Sequence, residues 1–381
     1  MTHASRKATD RAGALLSLFS REGYRRIEPS VLQPVDAFLD LSGEDIRRHM
    51  FLTQDSDGNE LCLRPDYTIP VSRDYLASRG PEAAASLSYL GPVFRQRAGR
   101  AGEFPQAGIE SFGRADREAA DAEVVALGFE ALTGLGVANP FVRLGDVGLL
   151  CAVLDALDVS APQRRRVLRA VAEGQPFDAA NGERVAKNGS APSDHAGLLA
   201  AIEGQDPTAA RAFVEDVLSI AGISTVGGRS AGEIAERFLA RAAHRNGSKL
   251  SDRQRETLAR YLAIEADPDT AATEIRHLAR DAQIDLDKAL ESFEARTGFL
   301  AARGLDVAAV SFSAGFARNL DYYTGFIVEM HDSRQPDTRP ILGGGRYDSL
   351  LTHLGAPEPV PAVGFAIWID RLDADNATGA Q

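Results

Sequence analysis

Two cysteines, Cys62 and Cys151, are all that 381 residues contain, too few and too far apart for a disulfide framework or a zinc cluster. A reducing cytoplasm is the compartment this usage implies. Long apolar runs are absent too, and none approaches the roughly 20 residues that span a bilayer. The N-terminal stretch lacks a signal-peptide pattern. Asp10 and Arg11 there precede Ala12, Leu15, Leu16 and Phe19, a spacing that predicts an amphipathic helix. Excess positive charge is also missing. A formal net charge of −12 disfavours non-specific attraction to nucleic acid or anionic membrane. Metal-ligand spacing is lacking at His331 and His353, so neither a metal nor a resident cofactor is expected. His195, His244 and His277 sit alone among helix formers and read as surface or capping residues. The run "GGGRYD" lacks the Gly-Lys-Ser/Thr ending and the strand-to-helix context of a phosphate loop. Tryptophan occurs once, as Trp368, in the closing apolar segment "GFAIWIDRL".

What is present has three textures. From about residue 24 to 148 strand signals dominate. The segment "HMFLTQDSDGNELCLRPD" predicts two strands joined at Asp57-Gly58. A second pair, "SLSYLGPVFRQ" and "QAGIESFG", brackets the polar loop "RAGRAGEFP". "REAADAEVVALGFEALTGLG" then reads as a helix ending near Gly136. From about 160 to 285 the chain is Ala-, Arg- and Glu-rich, helical, and broken by "EGQP", "NGSAPSD" and "GGRS". From about 285 a helix leads into strand-like "VAAVSFSAGF", "LDYYTGFIVEM" and "VPAVGFAIWIDRL". This order predicts an α+β fold, a mixed and largely antiparallel sheet with a helical insertion at 160–285. The core is then discontinuous, 1–160 and 285–381.

Polar residues are costly to bury, so those in strand-like surroundings carry information. Asp66 and Thr68 follow "LCLRP", and Arg95 follows "GPVF". Gln106 and Glu110 flank "AGI", on one face of a strand. Arg318, Tyr322 and Tyr323 lie in "FARNLDYYTG", and Arg346, Tyr347 and Asp348 in "GGGRYD". Any one of these alone reads as a salt bridge or a turn. Together they are the inventory that holds a small zwitterion: acceptors for an ammonium, an arginine fork for a carboxylate, donor and acceptor groups for a polar side chain.

At these residues the sequence resembles the catalytic core of class II aminoacyl-tRNA synthetases, specifically the histidyl-tRNA synthetase family. The resemblance covers about 10–160 and 285–372. "LRPDYT" resembles the family's "LRPEGT", and "GPVFRQ" with "FPQAGIESFG" resembles its second motif and the following strand. "ARNLDYYTG" is similar to the histidine-specific segment, "GGGRYDSLL" to "AGGRYDGL", and "AVGFAIWIDRL" to the third motif. The resemblance implies a class II antiparallel sheet with flanking helices. It implies that Asp66, Thr68 and Gln106 receive the α-ammonium of histidine, that Glu110 and Tyr323 contact the imidazole, and that Arg318 faces the carboxylate. Arg95 and Tyr322 complete the candidate histidine-binding set. Pro34, at the first motif, implies a homodimer.

Departures from the family pattern cluster on the nucleotide side. Trp368 stands where the family has a small glycine, and an indole there fills much of the space an adenine needs. Asp370 is shorter than the usual Glu, and Arg97 replaces an acid. The loop between Arg95 and Gln106 is shorter than the loop that handles ATP and the tRNA end, and Asn319 replaces a glycine. The matched motifs end at residue 372, so no anticodon-binding domain is expected. An amino-acid pocket without ATP and tRNA apparatus resembles one group of synthetase paralogues, the regulatory subunits of short-form ATP phosphoribosyltransferase. That resemblance implies a cytoplasmic chain without catalytic activity, cofactor, tRNA or membrane. Its implied partners are the catalytic subunit that opens histidine biosynthesis and L-histidine as feedback ligand. Two alternatives are a truncated, active histidyl-tRNA synthetase and a stand-alone histidine-binding module.

Overall fold

A computed structural model describes residues 3–39, 49–79, 84–174, 225–226, 229–230, 250–318, 322–334 and 339–372. The N-terminal helix α1 (His3–Arg21) buries Leu15 and Phe19 of the predicted stripe together with Leu18, while Ala12 and Leu16 at its edge are half-buried. Strands β1 (Arg25–Arg26), β2 (Leu32–Pro34), β3 (Leu52–Gln54) and β4 (Glu60–Leu63) follow. The hairpin between β3 and β4 turns at Gly58, whose φ of 84° suits glycine. Asp55 holds the turn by accepting from the backbone N–H of Asp57 and Asn59, both at 2.9 Å. Next come α2 (Thr68–Arg79), the long hairpin β5 (Ala85–Phe94) and β6 (Glu103–Phe112), and α3 (Arg117–Gly134). Strand β7 (Phe141–Asp146) leads to α4 (Val147–Ala156) and α5 (Ala161–Ala172), and β8 (Thr225–Val226) pairs with β9 (Arg229–Ser230).

Helix α6 (Asp252–Leu262) and strand β10 (Glu265–Ala266) precede α7 (Pro268–Ala282), whose ends obey local rules. Asp267 caps its N-terminus, Pro268 occupies the first turn, and Gln283 closes it in the left-handed region at φ 53°. His277 is exposed on this helix. His195 and His244 lie outside the described residues. Helix α8 (Asp287–Ala302) is followed by β11 (Ser311–Ser313), β12 (Phe326–His331), β13 (Leu342–Arg346), the single-turn α9 (Leu350–His353) and β14 (Ala362–Trp368). Of the strand-like segment "VAAVSFSAGF" only three residues pair, after a 3-10 turn at Val307–Ala309.

Among the described residues nine strands form one sheet in the order β1-β5-β6-β14-β13-β12-β7-β11-β10. Only β1–β5 and β7–β11 are parallel, so the sheet is largely antiparallel, as the hairpin pattern predicts. Strands β2, β4 and β3 form a separate small sheet. One compact unit comprises Met1–Leu157, Val171–Gln175 and Thr257–Gln381, and a second comprises Asp158–Ala170 and Pro176–Glu256. Among the described residues no helix is long and apolar enough to cross a membrane.

One face of the large sheet is apolar. Ile109 lies opposite Phe365 and Ala107 opposite Ile367, which in turn faces Leu342. Phe19 of α1 meets Phe365 edge-on at 5.9 Å. Gly128 of α3 sits so close that a Cβ there would lie 2.8 Å from Leu342 Cδ1. Each large side chain buried on this face contributes about 1.5–3 kcal/mol. Strand side chains alternate, so residues 106, 108, 110, 364, 366 and 368 project from the opposite face.

Candidate ligand site

On that opposite face the register places Gln106 beside Trp368, Gly108 beside Ala366, and Glu110 beside Gly364. The next strand sets Gly343 against Ala366 and Gly345 against Gly364. Glycine and alanine make a floor with almost no side-chain height. Neighbouring side chains use the vacated space. A Cβ on Gly364 would strike the Glu110 carboxylate, one on Gly343 the Arg318 guanidinium, and one on Gly108 the Tyr89 hydroxyl. At Gly345 (φ 152°) it would come within 3.0 Å of Tyr323 Cε1. The glycines of "GGGRYD" therefore lie in a strand, β13, with functional-looking neighbours. Its glycines concealed it from a reading based on strand propensity.

Glu110 is the centre of this face. Thr68 Oγ1 donates to its Oε1 at 2.8 Å, and the Tyr347 hydroxyl donates to its Oε2. Burial dominates these bonds and raises the Glu110 pKa to about 8. Asp66, just before α2, accepts from the backbone N–H of Ile69 at 3.4 Å. Its carboxyl is also raised by burial, against the opposing charge of Arg95. Arg95 is fixed by donation from Nε to Pro65 O at 2.7 Å. Tyr322 is buried, 5.0 Å from the Tyr323 ring and edge-on to Tyr347 at 5.8 Å. Burial pushes both Tyr322 and Tyr323 above the ordinary phenol range. Arg318 pairs with Glu329, which sits 3.6 Å from His331. Desolvation raises Glu329, but the His331 hydrogen bond and the Arg318 charge outweigh it and lower its pKa.

The structure thus places all eight sequence-predicted residues on or beside one glycine floor. Tyr347, singled out in "GGGRYD", also reaches this floor through Glu110, and two neighbours were not singled out from sequence: Tyr89 and Glu329. Tyr89 stacks on Tyr67 at 4.4 Å and reaches Phe365 O at 3.3 Å. The available signal was a lone acid inside the apolar run "FIVEMH".

The residues that depart from the family pattern interlock. The Arg371 guanidinium stacks on the Trp368 indole at 4.0 Å, and Arg318 lies over the same ring at 5.5 Å. Burial lowers Arg371 to about 10, so it stays charged at neutral pH. Arg97 pairs with Asp370 at 3.0 Å and covers the Phe104 ring at 3.8 Å. The reversed charge at Arg97 is thereby neutralised within the chain. Asn319 lies outside the described residues.

Behind Tyr347 runs a buried chain of charges. Arg346 pairs with Asp121 and with Asp348, the latter at 2.8 Å. Arg296 of α8 joins Asp121 at 3.6 Å and also pairs with Asp146. Asp348 accepts from the backbone N–H of Ala362 at 2.9 Å, tying the segment after β13 to the start of β14. Both sequence neighbours of Tyr347 are fixed in this way.

A glycine-floored antiparallel sheet that carries these motifs in order defines a histidyl-tRNA synthetase-like protein of the class II fold. The family model for histidyl-tRNA synthetase matches residues 2–217 and 212–372, through the stretch where no motif was legible. The chain belongs, within that group, to the family of ATP phosphoribosyltransferase regulatory subunits. Relatives with that name from Brucella canis and Brucella suis are each 38% identical over 353 residues, covering 91% of this chain and 92% of theirs. A Bacillus halodurans structure described as an ATP phosphoribosyltransferase regulatory subunit/histidyl-tRNA synthetase shares the fold with a TM-score of 0.68. It has 23% identity and covers 98% of this chain and 79% of that one. Histidyl-tRNA synthetase from a Nostoc species gives 0.64, at 15% identity, over 98% and 72% of the two chains.

Proposed function

We propose that this chain is a non-catalytic, cytoplasmic regulatory subunit. It joins a short-form ATP phosphoribosyltransferase catalytic subunit and passes to it the presence of histidine. The observation that carries this reading is a contrast between two halves of one face. The half bearing Glu110, Asp66, Thr68, Gln106, Tyr322 and Tyr323 keeps a complete set of groups for an amino acid. The other half packs its own side chains together, Trp368 on Arg371 and Arg97 on Asp370. A chain that holds an amino acid and crowds its own nucleotide side is suited to sensing. Histidine fits the first half because an imidazole N–H finds acceptors in Glu110 and Tyr323, while Arg318 and Arg95 match a carboxylate. Homodimerisation would use the small sheet around Pro34, where Val31, Leu32 and Leu52 are 37%, 46% and 46% exposed.

Feedback requires histidine to bind the active and inhibited assemblies unequally. A coupling of about 1–3 kcal/mol changes the balance about 5–150-fold. Mixing the two purified proteins should produce co-elution, phosphoribosyl-ATP formation beyond that of the catalytic subunit alone, and inhibition by histidine. A catalytic subunit equally active alone, or separate elution, would overturn the reading. The same preparation should show no histidine-dependent pyrophosphate exchange with ATP. Displacing the α-phosphate by about 1 Å already costs on the order of 100-fold, and a stacked indole crowds far more space. Exchange at a synthetase-like rate would establish the truncated-synthetase alternative instead.

A further inference from the structure

Four buried polar atoms without a protein partner belong to residues of one corner: Gln106 Oε1, Arg318 Nε, Trp368 Nε1 and Asp370 Oδ1. Gln106 and Trp368 are cross-strand partners, so their side chains leave the sheet side by side. Arg318 lies over the indole, with its NH1 engaged by Glu329 and its Nε unengaged. Indole nitrogen and guanidinium Nε can only donate, and Gln106 Oε1 can only accept. Buried donors and acceptors left unmatched are rare and costly, so a cluster of them points to a ligand-binding corner.

We propose that Trp368 is a specificity-determining residue for the amino acid. Its Nε1–H and the Arg318 Nε–H together donate to the α-carboxylate, while Gln106 Oε1 accepts from the α-ammonium. The inference rests on the histidine-binding reading and gives the lone tryptophan a positive role beyond filling nucleotide space. A zwitterion suits the corner better than a phosphate. Gln106 Oε1 needs a donor beside the two donors Trp368 Nε1 and Arg318 Nε; a zwitterion brings ammonium and carboxylate together, whereas a fully ionised phosphate only accepts. The stack of Arg371 on the ring holds the indole in place from its face.

The test compares L-histidine with L-histidinol, which keeps the imidazole and ammonium but has a hydroxymethyl group in place of the carboxylate. Calorimetry on the full chain and on Trp368→Phe, which keeps a ring for Arg371 but loses the N–H, should show histidine affinity reduced about 10–100-fold. Histidinol affinity should be nearly unchanged. Trp368 is the only tryptophan, so the unmutated protein also gives one indole N–H resonance. Histidine should move it downfield and histidinol should not, a readout that needs no variant. Equal losses for both ligands, or an indole signal indifferent to histidine, would overturn the role of Trp368 while histidine binding stood. No histidine binding to the unmutated chain would overturn the ligand reading and this inference with it.

Discussion

Glu110→Gln should remove a large part of the pH dependence of stability between about pH 5 and pH 8. Glu110 has its pKa raised from 4.5 to about 8 by burial, beside Thr68, Tyr347, Tyr89 and Asp66. The folded state then holds a proton that the unfolded chain has released. Stability from this group is fully present below about 4.5 and is lost as the pH rises through about 8. The slope approaches on the order of 1 kcal/mol per pH unit in that window. Glutamine mimics the protonated acid and cannot ionise. The variant should match the parent near pH 5 and exceed it in stability by a few kcal/mol above pH 8. Urea unfolding followed by Trp368 fluorescence at several pH values measures the difference. Parallel stability–pH curves for the two proteins would show that Glu110 keeps an ordinary pKa.

Arg346→Ala should cost the sheet unit about 3–5 kcal/mol, the usual penalty for removing one partner of a buried ion network. Arg346 is 4% exposed and engages both Asp121 and Asp348. Its loss leaves Asp121 facing only Arg296 at 3.6 Å in a buried setting. Arg117, at the outer end of the same network, has a side chain 51% exposed. Arg117→Ala should therefore cost no more than about 1 kcal/mol, as exposed pairs do. The contrast between the two variants in denaturant midpoints is the decisive measurement. Equal costs would mean that burial is not what gives Arg346 its weight. A loss of histidine affinity in Arg346→Ala at low denaturant would further indicate that the network places Tyr347 against Glu110.

Much of the framework is written locally. The Asp57-Gly58 turn, the paired strands on either side of "RAGRAGEFP", the helix α1 and the helix from 117 each follow from spacing within a dozen residues. The chemistry of the site was also legible as residue types, because Asp66, Thr68, Arg95, Gln106, Glu110, Arg318, Tyr322 and Tyr323 are polar in apolar surroundings. Their convergence on one floor depends on register across several strands, where a one-residue slip would turn Gln106 and Glu110 into the apolar layer.

What the amino-acid order determined by itself was two local hairpins, the helices α1 and α3, and which polar groups would be costly to bury. Tertiary structure alone decided that three consecutive glycines form a strand. Glycine has weak intrinsic strand preference, and here its worth lies in the Arg318 and Tyr323 side chains that occupy the missing Cβ positions. It likewise decided that Arg97 meets Asp370, 273 residues away, and that Arg346 meets Asp121, 225 residues away. A charge announces in the sequence that it needs a partner. Only the folded sheet, by bringing distant strands within about 5 Å of each other, determines which partner it finds.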